Sequence, residues 1–193
     1  ALPIYSMDFI NCSGSTMHSF LKKADPRMTL FTGSQKIADI LTEELNGKVK
    51  LEDAGFDWKV LGPDAAPKGS EDFEYVAHVC DQDAYAFSGQ KCSAQSVLFA
   101  HENWVNQGLL ERAAELAKLR KVDDLTVGPV LTVTNERFEA HRDALLKIPG
   151  AKIAWGGKTL ERKTNSHNIP ECYGFWEPTA IEVPLSAFVD PET

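Results

Sequence analysis

No CxxC pair occurs in the 193 residues. The four cysteines, Cys12, Cys80, Cys92 and Cys172, are widely and irregularly spaced, so a zinc site made of paired ligands is not expected. His78 and Cys80 are two apart and would face different directions on a helix. No metal is assigned, and reduced thiols in an intracellular compartment are the default for such cysteines. Clusters of Lys and Arg are also missing. Twenty basic residues against 28 acidic ones give a net charge of −8. A nucleic-acid partner is disfavoured, because phosphate binding needs a concentrated basic surface. No apolar run approaches transmembrane length, so no membrane partner is expected. The opening ALPIYSMDF lacks the regions of a signal peptide and starts without Met, as a mature chain or an excised piece would. Neither GxGxxG nor GxxxxGK[ST] is present, so the standard dinucleotide and P-loop fingerprints are absent. There is no internal repeat and no low-complexity tract.

Hydrophobic residues make up 43% of the chain, sufficient for one domain or two small lobes with a core. Asp8 to Cys12 reads as a short strand. Ser13 to Thr16 reads as a turn or helix start, and Met17 to Lys23 as a short helix ended by Pro26. Met28 to Phe31 is apolar and β-rich, a second strand. Thr32-Gly33-Ser34 is the turn after it. Gln35 to Asn46 follows as a helix with Ile37, Ile40, Leu41 and Leu45 on one face, Ser34 as N-cap and Gly47 at C′. Val49 to Glu52 is a third strand. Alternating strands and helices imply a parallel sheet with crossovers. Further strands are expected at Trp58 to Leu61, Ser96 to Phe99 and Lys152 to Trp155. Further helices are expected from Glu71 to about Phe87, Leu109 to Leu119 and Asn135 to Leu146. The segment from Cys172 to Phe188 reads as edge strand plus loop. The class is α/β, with a lobe boundary in the mid-fifties.

Three stretches offer chemistry. In Phe31-Thr-Gly-Ser34 a strand meets a glycine and a helix N-terminus, where N–H groups and the helix dipole favour an anion. A capped helix explains the same residues. In Leu51-Glu-Asp-Ala-Gly55 two acids end a strand, where ligand sites of parallel sheets lie. A partly dry carboxylate there can act as general base, and a solvated loop acid is the plain alternative. In Ser88-Gly-Gln-Lys-Cys-Ser-Ala94 a turn surrounds Cys92. Cys92 is either a nucleophile, with turn N–H groups and Lys91 favouring the thiolate and an oxyanion, or a small buried packing residue. Cys12, Cys80 and Cys172 have no such setting and are assigned to packing. His101 and His141 are assigned to the surface or to a satisfied core.

In this order, FTGS, LEDAG and SGQKCSA resemble the aldehyde dehydrogenase superfamily. Gly128-Pro-Val-Leu131 and Glu177-Pro-Thr179 resemble its later segments. VKLEDAGFDWKVLGPD and the Cys92-Ser93 pair are most similar to its glutamate-semialdehyde (pyrroline-5-carboxylate) dehydrogenase group, plant-type. The resemblance covers essentially the whole chain. It implies part of a Rossmann-like cofactor domain over 1–52 and most of a catalytic α/β domain over 53–193. It implies NAD against Thr32, Gly33 and Ser34, with Cys92 as nucleophile and Glu52 as the base that activates water. It also implies Ser93 on the substrate's distal carboxylate and Tyr85 lining the pocket. An aldehyde substrate and a mitochondrial (otherwise cytoplasmic) location follow from the same likeness, and a homo-oligomer is expected because a truncated chain leaves apolar faces without partners.

Departures accompany it. Family members are much longer. The upstream Asn of the oxyanion hole, the Lys and Glu that grip the adenosine ribose, and the downstream Glu-x-Phe segment are not in this stretch. EDAG stands where most relatives have ELGG. An interior fragment with little activity alone is therefore expected. The alternatives are a non-catalytic dehydrogenase-like domain used in assembly, and a thiol acyltransferase or hydrolase using Cys92 without a nucleotide.

Overall fold

A computed structural model describes residues 7–53 and 55–189. The chain divides into two units, Ala1–Ala54 and Gly55–Thr193. The fold is α/β, with parallel strand pairs in both units.

The first unit has four elements in chain order: helix α1 (Gly14–Ala24), strand β1 (Thr29–Gly33), helix α2 (Gln35–Glu44) and strand β2 (Val49–Asp53). Ser13 caps α1, its hydroxyl accepting the Thr16 N–H at 3.2 Å. Lys22 and Lys23 lie in the last turn, where the helix dipole favours cations. Asp25 closes the helix in the left-handed region, at φ 43°. Strands β1 and β2 run parallel, Thr29 opposite Val49 through Gly33 opposite Asp53. Alternation sorts their faces: Leu30 and Thr32 are exposed, whereas Thr29, Phe31 and Gly33 are half-buried. Helix α2 buries Ala38 and Leu41, with Leu45 buried just beyond.

Four sequence expectations change in this unit. Residues 8 to 12 form no strand and lie exposed. Thr32 and Gly33 belong to β1 rather than to a turn. Ile37 and Ile40 are exposed, because the buried stripe of α2 runs through Ala38, Leu41 and Leu45, three to four apart. At its C-terminus Asn46 (φ 52°) takes the C′ position and Gly47 (φ 75°) the next one. The Asn46 N–H bonds the Glu43 carbonyl and the Gly47 N–H the Thr42 carbonyl, a Schellman closure.

The second unit begins with β3 (Asp57–Leu61), α3 (Glu71–Tyr85) and β4 (Gln95–Ala100). Strands β3 and β4 pair in parallel, Val60 opposite Phe99, with α3 in the connection. Ser70 caps α3 by accepting the Phe73 N–H, and Glu71, Asp72 and Glu74 occupy its first turn. Helices α4 (Glu102–Asn106), α5 (Leu109–Lys118) and α6 (Asn135–Leu145) follow. Strand β5 (Lys152–Trp155) then pairs antiparallel with β6 (Ala180–Glu182), and a short helix α7 (Ser186–Val189) closes the described chain.

Phe73, Ala77, Trp104 and Leu109 form the buried centre, packed by Leu61, Leu98 and Leu116. The Phe73 and Trp104 rings stack at 6.3 Å. Sequence reading passed over α4, five residues long, yet its Trp104 completes this core. The expected stripe of α5 ends early: Leu109 and Ala113 are buried, but Leu119 is exposed. Cys80 is buried on α3, as a packing residue should be, whereas Cys12 and Cys172 are exposed. Packing is therefore the wrong assignment for those two.

Among the described residues, one ion pair is fully inside. Asp81 and Arg120 side chains are 5% and 7% exposed and bond twice, at 2.5 and 3.2 Å. Arg120 also donates to the Thr126 and Asp81 carbonyls. Arg120→Met should lower stability by about 3–5 kcal/mol, because Asp81 is left as an unpaired buried charge. Asp81→Leu combined with Arg120→Met should recover most of that loss. Urea unfolding midpoints check both variants.

Candidate active site

In the first unit the strand register brings two sequence signals together. Thr32 stands directly opposite Glu52 at the carboxyl ends of β1 and β2. Both side chains are exposed on one face. Gly33 comes next, and a Cβ there would meet the tip of the Phe31 ring at 2.5 Å. Ser34 then takes the N-cap position of α2, but its hydroxyl makes no capping bond. No acidic residue occupies the first turn of α2. Thr32, Gly33, Ser34 and Glu52 thus gather around the end of one β–α–β unit, with the helix N-terminus left electropositive.

Tyr85, Cys92 and Ser93 belong to the second unit. Helix α3 stops at Tyr85, two residues earlier than its composition suggests. The stop is a change of backbone hand. Phe87, Ser88 and Gly89 have φ of 55°, 56° and 73°. Gln90 N–H donates to the Phe87 carbonyl at 3.2 Å, closing a turn whose two central residues, Ser88 and Gly89, both have positive φ. That is the type I′ requirement. A second turn follows at once: Ala94 N–H donates to the Lys91 carbonyl at 3.1 Å. Cys92 and Ser93 are its two central residues. Both are exposed, and Ala94, buried, leads into β4.

Left-handed backbone costs a non-glycine residue roughly 1–2 kcal/mol. Two side chains hold it here. The Ser88 hydroxyl donates to the Gly128 carbonyl at 3.0 Å and accepts the Gly128 N–H at 2.9 Å. The Gln90 amide donates to the Phe87 and Pro129 carbonyls at 3.1 and 3.0 Å and accepts the Leu131 N–H at 2.9 Å. Gly55 lies against the second turn. A Cβ at Gly55 would fall 1.4 Å from the Cys92 carbonyl oxygen, so only glycine fits. Sequence reading singled out Cys92 but missed these roles for Ser88, Gln90 and Gly55. The signal was the run of short polar residues and glycine in SGQ, whose partner forty residues on no local pattern reveals.

Tyr85 is half-buried. Its hydroxyl donates to the Thr179 carbonyl and accepts the Trp155 indole N–H, each at 3.0 Å. The phenol edge is therefore committed within the unit, and the Arg120 guanidinium lies over the ring, 5.9 Å from its centroid. His101 caps α4, its ring accepting the Asn103 N–H, and His141 is exposed.

The aldehyde dehydrogenase family pattern matches residues 5–180. The chain belongs to that family. It is 57% identical to a probable aldehyde dehydrogenase of Linum usitatissimum, over 95% of this chain and 32% of that protein. It is 55% identical to the mitochondrial delta-1-pyrroline-5-carboxylate dehydrogenase 12A1 of Arabidopsis thaliana, with the same coverage. The chain therefore spans about a third of the length of these curated relatives. Among solved structures, succinate-semialdehyde dehydrogenase from Burkholderia pseudomallei superposes with a TM-score of 0.72 at 22% identity, over 89% of this chain and 34% of that one. Betaine aldehyde dehydrogenase from Staphylococcus aureus, in complex with NAD+, gives 0.68 at 24% identity, over 88% and 33%. These likenesses establish the aldehyde dehydrogenase fold.

Two predictions follow from the family member's own geometry. Burial pushes the Cys80 thiol up. Iodoacetamide at neutral pH should label the exposed Cys12, Cys92 and Cys172 and spare Cys80 until denaturant is added; peptide mass mapping reads this. Burial also pushes the Tyr85 phenol above its ordinary value, with the Trp155 bond opposing in part. A raised folded value stabilises the fold fully below the ordinary phenol range of about 10 and less as pH climbs beyond it. Tyr85→Phe should make the alkaline loss of stability shallower, measured by unfolding midpoints across that range.

Proposed function

We propose that this chain carries the reacting thiol and the water-activating carboxylate of an NAD-dependent aldehyde dehydrogenase. Its substrate is proposed to be glutamate semialdehyde, oxidised to glutamate in proline catabolism in the mitochondrion. Residues 1–52 would supply the end of the NAD-binding domain and 53–193 most of the catalytic domain. The observation that carries this reading is the pair of successive turns that holds Cys92 at a corner, exposed, directly before a parallel strand. The 55% identity to a protein named as a pyrroline-5-carboxylate dehydrogenase supports the choice of aldehyde.

The residues fit the cofactor. Gly33 has no side chain, the Ser34 hydroxyl is uncommitted to a cap, and the first turn of α2 carries no acid, all suited to a dinucleotide phosphate. In the reaction, the Cys92 thiolate adds to the aldehyde carbon, forming a C–S bond and an oxyanion to which the Cys92 N–H donates. NAD, when bound, supplies the hydride acceptor that takes this adduct to a thioester. Glu52 removes a proton from water. The water oxygen attacks the thioester carbon, the C–S bond breaks, and Cys92 leaves as thiolate while the acid is released. Ser93, beside the nucleophile, would donate to the distal carboxylate, and the Tyr85 ring would wall the aliphatic part. Exposed apolar residues such as Leu30 and Trp58 support association into a homo-oligomer.

Turnover by the 193-residue chain alone is expected to be slow, so the test reads single events. Millimolar NAD should raise the unfolding temperature. With NAD and glutamate semialdehyde, intact mass should show an acyl adduct that Cys92→Ala abolishes. Glu52→Gln should still form the adduct but hydrolyse it about 100-fold more slowly or worse. No stabilisation by NAD together with no adduct overturns the reading.

A further inference from the structure

The backbone of Gly128 to Leu131 is gripped from two sides. Val130 exchanges both backbone bonds with Gly174, at 2.7 and 3.0 Å. The Pro129 carbonyl and the Leu131 N–H, which flank Val130, both go to the Gln90 side-chain amide. Those two groups are the ones a neighbouring strand in a parallel ladder would engage. A side-chain amide has one carbonyl and one NH2, so Gln90 supplies the donor and acceptor that one residue of such a strand would. Ser88 adds the reciprocal pair to Gly128. The partner segment is itself fixed: a Cβ on Gly174 would lie 2.5 Å from the Val133 carbonyl oxygen and 2.6 Å from the Phe138 ring. Asn135 accepts the Phe175 N–H at 2.7 Å.

We propose that Gln90 and Ser88 are positioning residues: their bonds to the Gly128–Leu131 backbone hold the left-handed turn that sets where Cys92 is presented. Neither residue touches a reacting atom in this account. Each acts through the backbone, two and four residues before the thiol. Within Ala86–Gly89 the chain makes a short 3-10 turn that contains the left-handed Phe87 and Ser88, and its local bonds, such as Gln90 N–H to the Phe87 carbonyl, do not tie it to the rest of the unit as the Ser88 and Gln90 side chains do. The inference deepens the dehydrogenase reading and rests on it only for the thiol's purpose; the geometry of the clamp does not.

The test is alkylation of the 193-residue chain without NAD or aldehyde, so failure of the dehydrogenase reading leaves it intact. Cys172, exposed on the same molecule, is the internal reference, and protection of the buried Cys80 reports an intact fold. Gln90→Met keeps length and removes the amide; Ser88→Ala removes the hydroxyl. Two or three lost bonds should lower the Cys92-to-Cys172 rate ratio about tenfold in each variant while Cys80 stays protected. A ratio within about twofold of the parent chain, with Cys80 protected, overturns the proposal. Where a variant exposes Cys80, amide exchange in the unaltered chain decides. Slow exchange at the Gly128 and Leu131 N–H groups, which donate to these side chains, supports the clamp. Exchange there at the rate of exposed loop amides overturns it.

Discussion

Five hydrogen bonds from the Ser88 and Gln90 side chains pin the segment that leads from α3 to the exposed Cys92. Phe87 and Ser88 occupy backbone that L-residues avoid, at roughly 1–2 kcal/mol each. A net 0.5–1.5 kcal/mol per hydrogen bond is the right size to offset that. Five such bonds match or exceed the strain of two residues, and losing two or three of them removes much of that margin. The same contacts reverse the chain between α3 and β4, and β4 in turn pairs with β3. The βαβ framework and the presented cysteine therefore share one joint.

Around that joint the core is modest. The Phe73, Ala77, Trp104 and Leu109 cluster ties α3, α4 and α5 together, and the Asp81–Arg120 pair fastens α3 to the segment after α5. A charge pair this dry is neutral or costly compared with apolar residues, yet severe to break. Its value here is geometric. Arg120 also holds the Thr126 carbonyl, two residues before Gly128, so the ion pair bears on the stretch that Ser88 and Gln90 grip. In the first unit, by contrast, Leu30 and Leu51 face solvent on a two-stranded parallel sheet. Parallel sheets are normally covered on both faces, consistent with a chain that spans a third of its relatives.

Most of the elements were legible because their signals are local. Ser13 and Ser70 mark helix starts by capping, and the runs at Val49 and Lys152 have strand composition. The strand expected at residues 8 to 12 failed because composition cannot supply a pairing partner. The Ile37 and Ile40 stripe failed because two overlapping stripes exist on α2, and packing chose the one through Ala38 and Leu41. At the site, Thr32 and Glu52 were named from separate motifs, and their parallel register places them side by side. Gln90 and Ser88 carry no local signal of their role, since their partners lie some forty residues away. Long-range polar contacts leave no periodic trace in a single sequence.

The four cysteines differ in how their settings are fixed, not only in exposure. Cys80 is excluded by burial. Cys12, Cys92 and Cys172 are all exposed, so accessibility does not distinguish among them. Cys12 lies in irregular chain before α1, and Cys172 in a turn that follows Pro170. Cys92 alone stands at a turn fixed on three counts: a preceding left-handed turn pinned to remote backbone, a following β-strand, and a glycine packed on its own carbonyl. Orientation rather than exposure is what would convert a thiol into a directed nucleophile, because covalent addition to a carbonyl requires the attack line and an oxyanion donor to be fixed together. That is why the polar residues before Cys92 matter as much as the cysteine does.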